Sequence, residues 1–230
     1  MWQEQKIKIA VDAIVFGYTN NTLNVLLIKQ KFGLLKDTWV LVGGFVQNNE
    51  ALKDAVAREL KEEAGIEVNY LEQLYTFGDD INRDPRDRVI SVAYFALVNS
   101  TELHLTADTD ADDAQWFPID NIPQLGFDHN KIIEVALERL KNKLSYQPIG
   151  FDLLPEEFLF SELENLYCTL LNKEIDRRNF RKKFLSYNVI EETNKMGGKG
   201  TGRPAKLFKF NKQKYQLLEK EGFHFDIKFA

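Results

Sequence analysis

Nine residues, RELKEEAGI from Arg58 to Ile66, constrain this chain more than any other stretch, because they place charge where a helix would place its core. A helix from about Glu50 to Ala64 advances about 100° per residue, which gathers Leu52, Ala55 and Val56 on one side. Glu59, Glu62 and Glu63 fall on that same side, while Lys53, Asp54 and Lys61 face away. Burying a bare carboxylate costs several kcal/mol in practice, so acids on a core-facing sector require a cation or an open cleft. A solvated acidic face is the plain alternative, and the shared apolar side argues against it. A hard divalent metal would satisfy all three carboxylates.

The chain around this helix is long enough for two domains. Its 230 residues are 44% hydrophobic and 28% charged, which leaves no compositional case for extended disorder. The apolar run Val89–Val98 is of strand length and too short to cross a bilayer. The N-terminal MWQEQKIKIAVDAIVFGY carries Lys6, Lys8 and Asp12 among its apolar residues and lacks a small-residue cleavage site, so it reads as a strand. Cys168 is the only cysteine, which excludes an internal disulfide and a cysteine-based zinc cluster. A cytoplasmic setting is expected.

Charge divides the chain. Residues 1–148 hold 15 basic and 23 acidic residues, a net of −8, whereas residues 149–230 hold 15 and 12, a net of +3. Between Lys173 and Lys214 the balance reaches +9, from 13 basic and 4 acidic residues, a footprint suited to a polyanion. The two halves are expected to meet different partners.

Hydrophobic periodicity predicts a mixed α/β first half. Strands are expected at Ile7–Tyr18, Leu23–Lys31, Trp39–Val46, Leu71–Phe77 and Val89–Val98, and a second helix at Asn130–Leu144. The segment SYQPIGFDLLPEEF, with Pro148, Gly150 and Pro155, places a boundary near Tyr146 and divides the chain into 1–148 and 149–230. Beyond it, Ser161 is the expected N-cap of a helix ending at Asn172, and Asp176 that of a second helix running to Tyr187. Two strand-like pieces, VIEET and AKLFKF, follow around the glycine-rich NKMGGKGTGRP.

Widened to GFVQNNEALKDAVARELKEEAGI, Gly44–Ile66, the first motif resembles the Nudix box at every specified position. That resemblance implies an αβα sandwich in which Glu59, Glu62 and Glu63 serve Mg²⁺, with Glu62 a third ligand or the residue that assists water deprotonation. It also implies that Arg58 and Glu50 pair to hold the helix to its loop. Gly43 and Gly44 would let backbone approach metal and phosphate. The implied reaction is hydrolysis of a nucleoside diphosphate linked to another group. The segments RDPRDRVISVAYFALV and FDHNKIIEVALERLKNK are similar to the ADP-ribose-related branch. There Arg83, Arg86 and Arg88 are candidates for bidentate phosphate binding, with a charged loop beside a strand as the alternative. His129 reads as a structural or capping histidine.

In the basic half, helix, turn, basic helix and hairpin follow the order of a winged helix-turn-helix, whose second helix enters the major groove of DNA. The expected DNA contacts are Arg177, Arg178, Asn179, Arg181 and Lys182 on that helix and Lys199, Arg203 and Lys206 on the wing. The helix alone is equally compatible with a solvated basic face; the wing shifts the balance. GGKGTGRP lacks GK[ST] and lies between strands, which argues against a phosphate-binding loop. GFDLLPEEFLFSELENLYCTLL, DRRNFRKKFL and GRPAKLFKFN resemble the winged-helix domain of the Nudix-related transcription regulators. This second resemblance implies a homodimer on an operator, with ADP-ribose, a related nucleotide or a pentose sugar as effector. The complete Nudix box keeps Mg²⁺-dependent hydrolysis as the alternative function, alone or alongside regulation.

Overall fold

In the computed structural model, the described residues are 6–103, 105, 111–198, 204–222, 225 and 227. They divide into two compact units, residues 1–19 with 23–138, and residues 20–22 with 139–230.

The first unit is organised by β1 (Lys8–Thr19) and β6 (Val89–Val98), which pair in parallel and are buried along most of their length. Such strands need cover on both faces, and their continuous apolar sequences are what two-sided burial selects. The sheet runs β3 (Trp39–Val40), β2 (Thr22–Gln30), β1, β6, β5 (Tyr70–Phe77), with β4 (Val42–Phe45) also on β1 and β7 (Ala111–Pro118) on β2. Helix α1 (Leu52–Ala64) covers one face, packing Ala55, Val56, Leu60 and Ala64 with Val11, Ala13, Val15, Tyr94 and Ala96. The opposite face, with Ile14, Phe16, Phe95 and Leu97, is buried too. Helix α2 (His129–Tyr146) begins in this unit and buries Ile132, Ile133 and Ala136 there.

Two differences from expectation have physical causes. Trp39–Val46 is two strands, because Trp39 and Val40 pair with β2 while Val42–Phe45 pair with β1. Between them the Leu41 N–H leaves the ladder and donates to Nδ1 of His129 at 2.9 Å. Glu62 does not share the buried side with Glu59 and Glu63. Those two are 8% and 5% exposed, whereas the Glu62 side chain is 46% exposed, because it lies at the margin of the apolar stripe. Gly65 ends α1 at φ 68°, a conformation that favours glycine.

The second unit contains α3 (Phe160–Leu171), α4 (Arg177–Tyr187) and the antiparallel strands β8 (Glu157–Leu159), β10 (Ala205–Phe210) and β9 (Ile190–Gly197), ordered β8-β10-β9. Asp176 caps α4 by accepting from Asn179 N at 3.1 Å. Ser161 is not the cap of α3. The helix starts two residues earlier than that cap implies, at Phe160 with Leu159 as its N-cap, and the Glu162 carboxylate reaches back to Leu159 N at 2.8 Å. The core is aromatic: Tyr167 and Phe180 stand edge to face at 5.0 Å, and Phe180 packs on Phe184 at 4.6 Å. Helix α5 (Lys212–Glu221), capped by Asn211, and strand β8 were not expected from the sequence.

Candidate functional site

A cleft of about 330 Å³ opens in the first unit between β1, β4, α1, the 83–89 segment and the start of α2. Its size is within the range of small-molecule sites. Two polar systems meet in it, one from the helix α1 and one that no local motif announces.

On α1, Arg58 organises the acids. Its Nε and Nη2 bond to the two oxygens of Glu50 at 3.0 and 2.8 Å, and Nη2 also reaches Phe45 O at 3.3 Å. Its Nη1 donates to Glu59 at 2.7 Å and to Glu62 at 3.1 Å. The expected Arg58 and Glu50 pair is therefore in place, with the loop carbonyl included. Arg58 lowers the Glu50 pKa. Burial raises that of Glu59 although Arg58 opposes it. Glu63 is held differently, accepting from Gly43 N at 2.9 Å.

Both glycines are required by space. A Cβ on Gly43 would stand 2.2 Å from Val11 O, and one on Gly44 would stand 2.2 Å from a Glu59 carboxylate oxygen. Glycine here lets the strand pass against β1 and lets a carboxylate lie on its backbone.

Among the described residues no three acidic, histidine or cysteine side chains are grouped as a metal cage. Glu59, Glu62 and Glu63 are neighbours, yet Arg58 draws Glu59 and Glu62 while the Gly43 amide draws Glu63. The donor set nevertheless suits a hard cation, because two buried carboxylates share one helical face and burial, which raises the Glu59 pKa, leaves that carboxylate in want of a positive partner beyond Arg58. Glu59 and Glu63 are the residues that fit a divalent ion; Glu62 would have to turn inward to join them.

The second system centres on Asp12, a buried carboxylate in the middle of β1. It accepts from Ser91 Oγ and from Arg83 Nη2 at 3.3 Å, and lies 3.4 Å from His129 Nε2. Because Nδ1 of His129 accepts from Leu41 N, the ring proton is placed on Nε2, toward Asp12. Burial pushes the Asp12 pKa up, but the His129, Ser91 and Arg83 contacts overcome it and hold the carboxyl down at about 2. Arg83 grips Asp128 through Nε at 3.0 Å and Nη2 at 2.7 Å.

The three expected phosphate-binding arginines thus separate. Arg83 lies in the cleft but is bonded to Asp12 and Asp128. Arg86 also lines it, and its Nε and Nη2 bond to Asp84 at 3.0 and 2.8 Å. Arg88 is not among the lining residues; it donates to Gly78 O at 2.8 Å. Sequence reasoning missed Asp12, Asp84, Ser91 and Asp128. Only Asp12 carried a signal, a lone acid inside an apolar strand.

In the second unit α4 buries Phe180 and Phe184 and exposes Arg177, Arg178, Asn179, Arg181 and Lys182. Two of the arginines are positioned: Arg177 lies 3.9 Å from Glu164, and the Arg181 guanidinium stacks over Phe160 at 4.6 Å and Phe208 at 5.4 Å. Lys206 on β10 pairs with Glu192. Lys199 and Arg203 lie outside the described residues.

Comparison with known proteins matches residues 6–136 to the Nudix domain and residues 150–210 to the NrtR DNA-binding winged helix domain. The chain is 33% identical over 213 residues to an ADPR-responsive transcriptional repressor of Acinetobacter baylyi, NtrR, covering 90% of this chain and 83% of the relative. Its first half is 41% identical over 128 residues to an ADP-ribose pyrophosphatase of Methanocaldococcus jannaschii, covering 55% of this chain and 70% of that one. Among solved structures, Shewanella oneidensis NrtR complexed with a 27mer DNA superposes with a TM-score of 0.80 at 28% identity, covering 96% of this chain and 99% of that chain. The Nudix domain of the same protein complexed with ADP ribose gives 0.56 at 32% identity, over 60% of this chain and 90% of that one.

Proposed function

Since the chain belongs to the NrtR family of Nudix-related transcription regulators, we propose that it represses transcription by binding operator DNA through α4 and the wing, and that ADP-ribose bound in the Nudix cleft governs that binding. The observation that carries this reading is a repressor relative similar along both halves, so that sensor and DNA-binding unit occur together as they do there. The geometry supports it: the cleft is lined by Arg86, which Asp84 holds, and by Gly43 and Gly44, while α4 presents an exposed basic face. Arg178 and Lys182 are the groups for phosphate or base edges, with Asn179, Arg177, Arg181 and Lys206 beside them.

The functional division falls at 148/149, and the regulator works as a homodimer on a two-fold operator, as helix-turn-helix proteins do. Action on DNA places it in the cytoplasm. Among the described residues no helix is long and apolar enough to cross a membrane. Gel-shift titration of the chain's own promoter region tests the proposal. A salt-sensitive, sequence-preferring complex that ADP-ribose shifts is expected. No such complex, with or without ADP-ribose or a pentose, defeats it.

A second reading, Mg²⁺-dependent hydrolysis of ADP-ribose or a similar nucleoside diphosphate linked to another group, is favoured by the buried Glu59 and Glu63. Glu59 and Glu63 would hold the ion, which supplies charge neutralisation and water activation when bound. Arg58 keeps Glu59 and Glu50 in register and the Gly43 amide orients Glu63, whereas Glu62, exposed and bonded to Arg58, would have to turn inward to take a proton. Turnover with Mg²⁺ that Glu63→Gln abolishes while the thermal midpoint is kept would establish this activity beside regulation; no turnover of ADP-ribose, nucleotide sugars or dinucleotides rejects it.

A further inference from the structure

The basic side chains in the first half of α4 are not equivalent. Arg177 leans toward the Glu164 carboxylate, 3.9 Å away, and Arg178 interacts with the charge of Asp176, the helix cap. Arg181 is held differently, by two aromatic faces. The centre of its guanidinium lies 4.6 Å from the Phe160 centroid and 5.4 Å from that of Phe208. Phe160 opens α3 and Phe208 lies in β10, and both rings are buried, with 75° between their planes. Two buried rings from separate elements cannot shift independently of the core, so the guanidinium rests in a fixed corner.

A guanidinium on a phenyl face uses its π-surface and leaves the N–H groups at its edge free. Arg181 is exposed, and among the described residues no hydrogen bond takes those groups up. Glu164, buried on α3, adds an anchor: burial raises its pKa, and the charges of Arg177 and then Arg181 oppose that rise. Phosphate recognition needs little of this, because a mobile ammonium or guanidinium meets an oxygen from many directions. A guanine edge is more demanding. Its O6 and N7 accept two parallel bonds only from donors lying in the plane of the base. An arginine whose plane is set before binding loses less side-chain freedom in making them.

We propose that Arg181 is the residue of α4 that reads sequence, donating two bonds to O6 and N7 of a guanine in each half-site, while Arg178 and Lys182 contact phosphate. The inference rests on the proposed operator binding through α4 and assigns separate roles to its basic side chains. Arg181 is the fifth residue of the helix, within the N-terminal half that meets base edges in helix-turn-helix proteins. Phe160 and Phe208 act through Arg181 as positioning residues. The lysines of the wing strands are less suited: Lys195 is paired with Glu157 at 2.9 Å, and Lys206 with Glu192.

The test is fluorescence anisotropy with the full chain on the segment of its own promoter region that it protects from cleavage. Each guanine is replaced in turn by 7-deazaguanine, which keeps the base pair but lacks N7. Arg181→Met removes the charge and the donors while its flexible chain still covers Phe160, so the thermal midpoint should stay near the parent's. In the parent, one guanine per half-site is expected to lose roughly tenfold in affinity when N7 is removed. In Arg181→Met, affinity for the unmodified segment should fall by roughly tenfold or more, and that same guanine should no longer respond. Arg181→Gln, polar and uncharged, is a second variant with the same expectation should the first fold poorly. Lys182→Ala should weaken binding yet keep the response. The assignment is overturned if no guanine responds in the parent, or if the responding guanine does so equally in the Arg181 variants, as simple packing or a phosphate contact requires; either result leaves operator binding intact. If the parent forms no sequence-preferring complex, the operator reading fails and this assignment fails with it.

Discussion

Asp12 shows how a single residue is governed by partners far from it in sequence. Its folded pKa of about 2 lies below the ordinary 3.8, so its contribution to stability is complete above pH 4 and is lost as pH falls through 2. A depression of that size corresponds to about 2 kcal/mol. Urea unfolding between pH 4 and pH 2 should therefore show a steeper fall in stability for the parent than for Asp12→Asn, by about that amount; parallel curves would show that the carboxylate is not held by His129, Ser91 and Arg83. Glu59 and Glu63 of α1 were legible from the sequence because their relation is local, four residues apart on one helix, whereas Glu62, at the margin of the apolar stripe, is placed on the buried side by the spacing and is exposed in the fold. Asp12 is 71 residues from Arg83 and 79 from Ser91, so its network was not legible before the sheet brought them together. The same limit applies to the arginines. Their residue type suggested phosphate, but Asp128 and Asp84, which already hold Arg83 and Arg86, become visible only in the fold.

At the scale of elements, what periodicity and caps specify is recovered, and what depends on a distant side chain is not. The strands at β1, β2, β5 and β6 and the helices α1, α2 and α4 lie where alternation, helical spacing and Asp176 put them. The break at Leu41 was hidden because it is set by a histidine 88 positions away. Strand β8 is three residues long, too short to show alternation, and exists because β10 offers it a partner. Helix α5 is polar enough that no residue in it is buried, so the apolar stripe that announces a helix is missing. The start of α3 gives a direct test. Glu162 satisfies the Leu159 N–H, whereas no bond from Ser161 caps the helix. Glu162→Ala should cost about 1 kcal/mol, the usual worth of a cap, and Ser161→Ala less than about 0.5 kcal/mol. Thermal or urea unfolding measures both, and the reverse order would restore Ser161 as the cap.

At the scale of the whole molecule, charge and symmetry make one quantitative demand. The acidic first half, at −8, repels a DNA backbone, so binding has to come from the +9 stretch and its effect should be strongly salt-dependent. Each phosphate neutralised releases counterions and contributes about −0.9 to the slope of log affinity against log salt. Lys182 is exposed on α4, and no hydrogen bond or ion pair occupies its ammonium among the described residues, so it is a fair probe of one such contact. In a monomeric complex Lys182→Ala removes one contact and lowers the slope by about 0.9. In a two-fold dimer it removes two and lowers the slope by about 1.8. Arg181 behaves differently, because its guanidinium is stacked on Phe160 and Phe208, and its replacement removes packing as well as charge. Fluorescence anisotropy on operator DNA at a series of salt concentrations, comparing the parent with Lys182→Ala, therefore reads the contact and the number of copies together. A change near 1.8 supports a dimer with Lys182 on phosphate, a change near 0.9 removes the second copy, and an unchanged slope removes Lys182 from the DNA face.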